Sequence, residues 1–225
     1  MHYNLIVNYY IDKNKSRTDE LNFCMLENIN NPTFNNIVII GSEAHINSLM
    51  AICPEEHKSK ILPVVLDKRP SFNDYFMLLS KLFNSDDNIN IVANLDIMIP
   101  KESLLYASFY MPTKKTCLAL TRWDITNGSD YKNNAILFDR PDAQDTWIFK
   151  GGIPQISGAT NSLGNAGIDN SIAYQLEQSG YNVINPSRTL KTFHLHLIEV
   201  RNYTNIVGHA IHRIPPPYKL LPPTF

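Results

Sequence analysis

Short apolar runs alternate with polar breaks along the first hundred residues, and their spacing predicts strands and helices in turn. Leu5 to Ile11 is an apolar run rich in strand formers, closed by the polar loop Asp12-Lys13-Asn14-Lys15. Thr18-Asp19-Glu20 opens a helix with Leu21, Cys24 and Met25 on one face, ended by Asn30-Asn31-Pro32. A second strand is predicted over Asn36 to Ile40, a short helix over Ala44 to Ala51, and a third strand over Ile61 to Leu66, which Pro63 places at an edge. Ser71 to Phe83 predicts a helix: Ser71 caps it, Asp74 lies in its first turn, and Tyr75, Phe76, Leu79, Leu82 and Phe83 make an apolar stripe. Ile89 to Ala93 is apolar throughout, as a central strand covered on both faces must be. Repeated units of this kind predict an α/β domain with a mostly parallel central sheet covered by helices and right-handed crossovers.

The second half is less regular. Cys117 to Thr121 and Asn134 to Phe138 read as strands, and six of the nine glycines lie between Gly151 and Gly180, which predicts exposed, sharply turning loops. Asp169 to Ser179 predicts a helix capped by Asp169, with Ile172 and Leu176 on one face and Gly180 as its stop. Thr189 to Val200 predicts a final strand. The tail IPPPYKLLPPTF holds five of the fourteen prolines and predicts an extended surface strap. There is no internal repeat and no linker, so 1–225 is expected to be one domain.

Composition removes several classes of function. An apolar share of 44% against 18% charged residues supports a packed core and excludes a disordered chain. A net charge of −1 argues against broad nucleic-acid binding and against a nucleic-acid acceptor. No apolar run approaches the ~18–20 residues of a membrane-spanning helix, so no transmembrane segment is expected; peripheral membrane contact stays open. The start MHYNLIVNYYID lacks the marks of a secretory signal, and a cytoplasmic location is expected. Cys24, Cys53 and Cys117 are odd in number and scattered, which predicts buried reduced thiols. The abundance of Asn and Ile reads as coding bias. GxxxxGK[ST], GxGxxG, GxSxG and HExxH are all absent from the chain.

The candidate chemistry gathers in five places. Ala93-Asn94-Leu95-Asp96 ends an apolar strand with two polar side chains, and ligands of open α/β sheets collect at the carboxyl ends of strands. In extended chain Asn94 and Asp96 face one way, and such oxygen donors suit Mg²⁺ or Mn²⁺ with a diphosphate. The same residues also form turns readily. His194-Leu195-His196 puts two imidazoles on one face of a predicted strand, as metal ligands or as ordinary hydrogen-bonded histidines. Asp169, beside the glycine-rich stretch, is a candidate general base as well as a cap. Gln144 and Asp145 offer hydrogen bonds to sugar hydroxyls and Trp147 an aromatic face, although Trp147-Ile148-Phe149 also reads as core strand. Thr121-Arg122-Trp123-Asp124 follows another apolar strand, with Trp123 the candidate substrate contact.

The ordered set Tyr9-Tyr10-Ile11-Asp12-x-Asn14-x-x-Arg17-x-x-Glu20, Asn94-x-Asp96, TRWD, QDTWIFKG, GIDN, NPSRTLKTFHLH and RNY resembles small GT-A-fold, nucleotide-sugar-dependent glycosyltransferases of bacterial and viral glycan loci. The likeness runs from about Asn4 to Tyr203. It implies a GT-A-like, Rossmann-like domain with a nucleotide-binding half (1–100), an acceptor-binding half (101–205) and an extended tail (206–225). In that family an Asp-x-Asp signature holds the divalent ion and the diphosphate. Here Asn94 stands in the first position, so the resemblance implies Asp96 as the ligand, with Asn94 on ribose or phosphate and His194 or His196 as further ligands. It implies Tyr10, Arg17 and Arg69 at the nucleotide, Trp123, Gln144 and Trp147 at the acceptor, and Asp169 as base, with Asp145 the alternate. It further implies Mn²⁺ or Mg²⁺ as cofactor, a nucleoside-diphosphate sugar as donor and a glycan or polysaccharide as acceptor. Asp169 favours inverting transfer without deciding it. Two alternatives stand beside this: a nucleotidyltransferase, which would carry a glycine-rich loop after the first strand where Tyr9 to Lys15 holds no glycine, and a sugar-binding or assembly module that kept the fold without turnover.

Overall fold

The computed structural model describes residues 1–126, 131–198 and 214–225. Its first half alternates as the periodicity predicts: β1 (His2–Asn8), α1 (Lys15–Asn30), β2 (Phe34–Gly41), α2 (Glu43–Ile52), β3 (Ile61–Val65), α3 (Phe72–Leu82) and β4 (Asn88–Ala93). Then follow β5 (Ile97–Met98), α4 (Lys101–Ala107), β6 (Thr116–Leu120), β7 (Trp123–Asp124), α5 (Tyr131–Asn134), β8 (Ile136–Leu137), β9 (Thr146–Lys150), α6 (Ile168–Gln178), β10 (Asn182–Ile184) and β11 (Phe193–His194). Seven strands make one sheet in the order β10-β6-β9-β4-β1-β2-β3. Every pairing in it is parallel except those of β9, which is antiparallel to both β4 and β6. This is a single Rossmann-like α/β domain. A second, small sheet has the order β5-β11-β7-β8.

Alternation along the strands builds two cores. Leu5, Val7, Ile39, Ile91 and Ile148 face α1, α2 and α4 through Leu21, Met25, Leu49 and Leu104. Ile6, Val38, Val92, Trp147 and Phe149 face α3 and α6 through Phe72, Phe76, Leu79, Ile172 and Leu176. Local chemistry sets the boundaries. Ser71 and Asp74 form a reciprocal capping box at α3. β3, with Pro63, lies at the sheet edge. α1 starts before Thr18, because Asn14 is the better cap: its side chain accepts the N–H groups of Ser16 and Arg17. All three cysteines are free and buried. No described helix is long and apolar enough to cross a membrane.

Several expectations are corrected. β1 lies three residues earlier than expected. Strand pairing over 134–138 covers only Ile136–Leu137. The predicted strand from Thr189 to Val200 shrinks to Phe193–His194 among the described residues; 199 and 200 lie outside them. Leu190 N–H turns back to Pro186 O (2.8 Å), and pairing begins only where β5 and β7 offer edges. α6 is capped by Gly167 in the left-handed region (φ 81°), so Asp169 lies inside the first turn instead of capping it. The tail over 214–225 is a strap without regular structure: Lys219 N–H reaches Asn170 O, Leu221 N–H Pro141 O, and Thr224 N–H Asn185 O. Trp147 has 0% of its surface exposed and meets Phe72 edge to face at 5.7 Å, so it has no face to offer an acceptor.

Trp147 is the largest side chain of this core, and its indole N–H has no hydrogen-bond partner among the described residues. Trp147→Ala is expected to cost about 3–5 kcal/mol in denaturant unfolding. Trp147→Phe, which removes the orphan N–H and keeps an aromatic ring, is expected to cost much less. Equal losses in the two variants would contradict this account of the core.

Candidate active site

The chain turns as soon as β4 ends, with Ile97 N–H donating to Asn94 O (3.2 Å). The period of two that would align Asn94 with Asp96 therefore does not apply. Asn94 turns towards β9: its Nδ2 donates to Asp145 Oδ1 (2.7 Å) and its backbone N–H to Asp145 O (3.0 Å). Asp96 faces away from that pair, towards Arg17 and His194.

His194 owes its place to the small sheet. β11 runs between β5 and β7, pairing His194 with Ile97 on one side and Asp124 on the other. Its Nε2 lies 3.2 Å from Asp96 Oδ2 and its Nδ1 2.7 Å from Asp124 Oδ1. The His196 ring is 5.6 Å from that of His194. Asp96, His194 and His196 each present a ligand atom, all within 4.8 Å of one another. Ligand atoms sharing a small divalent ion lie roughly 3–4.4 Å apart, so slight side-chain motion closes this set on a cation. One carboxylate oxygen with two imidazole nitrogens suits Mn²⁺ better than Mg²⁺, which favours oxygen.

Opposite charges alternate through the site. Arg17 Nη2 pairs with Asp96, while its Nη1 donates to Glu20 Oε2 and to Leu195 O, both at 2.7 Å. Arg122 Nε donates to Asp124 Oδ1 (2.8 Å) and its Nη1 to Asp145 Oδ2 (2.9 Å). Burial alone would raise Asp96, but His194, Arg17 and Arg122 hold it well below the usual carboxylate range. Burial alone would lower His194, but Asp96 and the hydrogen bond to Asp124 push it up to about 9. Arg122 is raised, because Asp145 and Asp124 outweigh its burial.

These contacts reassign several expected roles. The Arg17 guanidinium is engaged by Glu20, Asp96 and a backbone carbonyl and is buried, so it braces Asp96 and is not free for a phosphate. Asp145 accepts from Asn94 on one oxygen and Arg122 on the other, so both oxygens are engaged inside the cluster. Gln144 is wholly buried beneath the tail, with Nε2 on Pro141 O and Leu221 O, and cannot reach an acceptor. Trp123 is partly exposed, but Lys191 Nζ sits 4.0 Å over its ring. Tyr10 is half-buried; burial raises its hydroxyl first, and Asp96 adds to this against Arg17 and Arg69. Arg69 is exposed, and its Nη2 lies where a side chain on Gly164 would begin, 2.3 Å from a Cβ built there. Asp169 is partly buried in the first turn of α6. Burial and then the charge of Asp145 raise its carboxyl well above the usual range, against a hydrogen bond from the Gln144 backbone and the charge of Arg122. Arg122, Asp124 and Glu20 went unassigned in the sequence. For the first two the signal is the alternation of TRWD, which puts Arg122 and Asp124 on the face opposite Trp123.

A groove lies apart from this cluster, between the end of α1 and the start of α4.

No protein-family model matches the sequence, and no curated protein does. Solved structures match it. A mannosyltransferase from Pyrobaculum calidifontis, in complex with GDP-Man and Mn²⁺, has a TM-score of 0.52 at 13% identity over 90% of this chain and 58% of that one. The fold is GT-A-like. S. aureus TarS 1–349, in complex with UDP-GlcNAc, matches at TM-score 0.43 and 14% identity over 67% of this chain and 45% of that one. A 4-diphosphocytidyl-2C-methyl-D-erythritol synthase from Anaerococcus prevotii matches at TM-score 0.42 and 10% identity over 66% and 70%. The chain thus spans about half the length of the two glycosyltransferase chains. GT-A-like neighbours include both glycosyltransferases and nucleotidyltransferases, and at these identities the likeness concerns the fold alone.

The raised Asp169 carboxyl, set first by burial and then by the charge of Asp145, has a measurable consequence. An acid whose folded-state pKa is raised contributes full stability below its unfolded value of about 4, and that contribution is lost as pH rises through the folded value. Asp169→Asn removes the charge and keeps an acceptor for the Gln144 backbone. The variant is therefore expected to melt above the wild type at pH 7–8, with the difference vanishing towards pH 4. A lower melting temperature at pH 8 would show that the carboxylate is a stabilising group.

Proposed function

We propose that the protein transfers a sugar from a nucleoside-diphosphate sugar to a hydroxyl of a glycan or polysaccharide, assisted by Mn²⁺ or Mg²⁺. The observation that carries this reading is the convergence of Asp96, His194 and His196 at the carboxyl end of β4 in a GT-A-like sheet. The mannosyltransferase of like fold that binds GDP-Man and Mn²⁺ supports it. When bound, the cation neutralises charge on the departing diphosphate. Asp96, His194 and His196 would hold it, His194 giving up its Nε2 proton as the ion binds, while Asp124 fixes the His194 ring through Nδ1.

The remaining roles follow from which groups are free. Arg69, exposed over Gly164, meets the diphosphate, and Tyr10 lies beside the nucleotide. Asp169 takes the proton of the acceptor hydroxyl as the new bond forms, which favours inverting transfer. Burial and then the charge of Asp145 raise the affinity of Asp169 for a proton, the direction a general base requires. Residues 1–100 bind the donor, and the acceptor lies against 101–205. We place the reaction in the cytoplasm, where three unpaired cysteines stay reduced.

The test is a thermal-shift panel of nucleotide sugars with and without Mn²⁺, followed by transfer assays. A donor at ~100 times its Kd stabilises by about 2.7 kcal/mol, and Asp96→Ala is expected to abolish the Mn²⁺-dependent part. Asp169→Asn is expected to slow transfer by about a hundredfold or more while donor binding persists. Arg69→Ala is expected to weaken donor binding about tenfold, near the ~1.5–3 kcal/mol of a hydrogen bond to a charged group. If no nucleotide stabilises the protein in Mn²⁺, the reading fails.

A further inference from the structure

We propose that Glu20 is a positioning residue that clamps the chain carrying His196, and so sets the affinity of the cation site; this rests on the site proposed above. Little secondary structure holds that chain among the described residues. β11 ends at His194, so sheet pairing fixes the first imidazole and stops before the second.

Past His194, the backbone is held by individual hydrogen bonds to named groups. Leu195 N–H donates to Asp96 O (3.0 Å), and Leu195 O accepts from Arg17 Nη1 (2.7 Å). On the far side of His196, Glu20 Oε1 accepts from both Leu197 N–H (3.0 Å) and Ile198 N–H (3.1 Å). The other oxygen, Oε2, accepts from Arg17 Nη1 at 2.7 Å. His196 therefore sits between two anchors on one helix, three residues apart and joined to each other.

The side chains of Arg17 and Glu20 are only 5% and 11% exposed, so water competes little for the bond between them; the bond to Ile198 N–H is part-buried and that to Leu197 N–H is at the surface. Both carboxylate oxygens of Glu20 face donors, a demand that an amide meets on one side only: its NH₂ must oppose either Arg17 or the two backbone N–H groups. Arg17 and Glu20 thus link the ligand Asp96 to the ligand His196 through α1.

The test is a double-mutant cycle read with Mn²⁺ alone, by electron paramagnetic resonance of the free ion. Wild type, Glu20→Gln, His196→Ala and the double variant are compared. Glu20→Gln is expected to weaken Mn²⁺ about tenfold, the scale of losing a group that orients a ligand. In the His196→Ala background the same change is expected to matter less than about threefold, because the residue it positions is gone. Unchanged Mn²⁺ affinity in Glu20→Gln overturns the proposal, as does an equal loss in both backgrounds, which would signal general loosening. If Glu20→Gln fails to fold, Glu20→Asp keeps the charge but is one methylene too short to span both partners, and the same outcomes decide. A wild type that binds no Mn²⁺ overturns the cation site and the clamp with it; a wild type that binds beside an unaffected Glu20 variant overturns the clamp alone.

Discussion

The arrangement of this site depends on one placement, the His194 imidazole between two carboxylates, Asp96 from the turn after β4 and Asp124 from β7. β11 is two residues long and could not stand alone. It is held because β5 and β7, which follow β4 and β6 out of the main sheet, leave facing edges for it. The register then decides the chemistry: opposite Asp124 and beside Ile97, the ring reaches Asp124 and Asp96 together. Each member needs the others. Burial would discharge His194 without the two acids, and would protonate Asp96 without Arg17 and His194.

From that centre the sign of charge alternates through Arg17, Asp96, His194, Asp124, Arg122 and Asp145. Such a string is weak grounds for extra stability, because the desolvation of each ion offsets most of its attraction. Its effect is geometric: no member can turn away without leaving a partner unpaired in poor solvent. It also sorts the arginines. Arg17 and Arg122 are bound among carboxylates, whereas Arg69 lies exposed over Gly164.

What the sequence disclosed divides along the range of the forces involved. The stripe of α3, its capping box and the edge position of Pro63 follow from neighbours a few residues apart, and they were legible. Asp96, His194 and His196 were legible as residue types that bind cations. The length of β11 was not, because its partners lie some 70 to 100 residues away and local pattern does not reveal which edges will be open. Trp147 and Gln144 were misassigned for a related reason. An aromatic beside polar groups looks like a sugar platform until the strand is known to be covered on both faces, and the unbroken run Trp147-Ile148-Phe149 was the signal for that. Asp169 read as a cap because Asp caps helices often; Gly167, free to take a positive φ, took that place two residues earlier.

The same geometry explains why the strand-end signature begins with an amide. The side chain at position 94 meets Asp145 at 2.7 Å, and Asp145 already raises the carboxyl of Asp169. A carboxylate at 94 would set two acceptors against each other with no proton between them, beside a third acid, and with Arg122 already shared between Asp124 and Asp145. Asn94 supplies the missing donor. It holds Asp145 still, and burial, with the charge of Asp145 beside it, keeps Asp169 proton-seeking. On the function proposed above, cation binding would fall to Asp96 with two imidazoles. On that proposal, the amide at 94 and the nitrogen-rich ligand set belong to one arrangement, laid out on either side of a single turn.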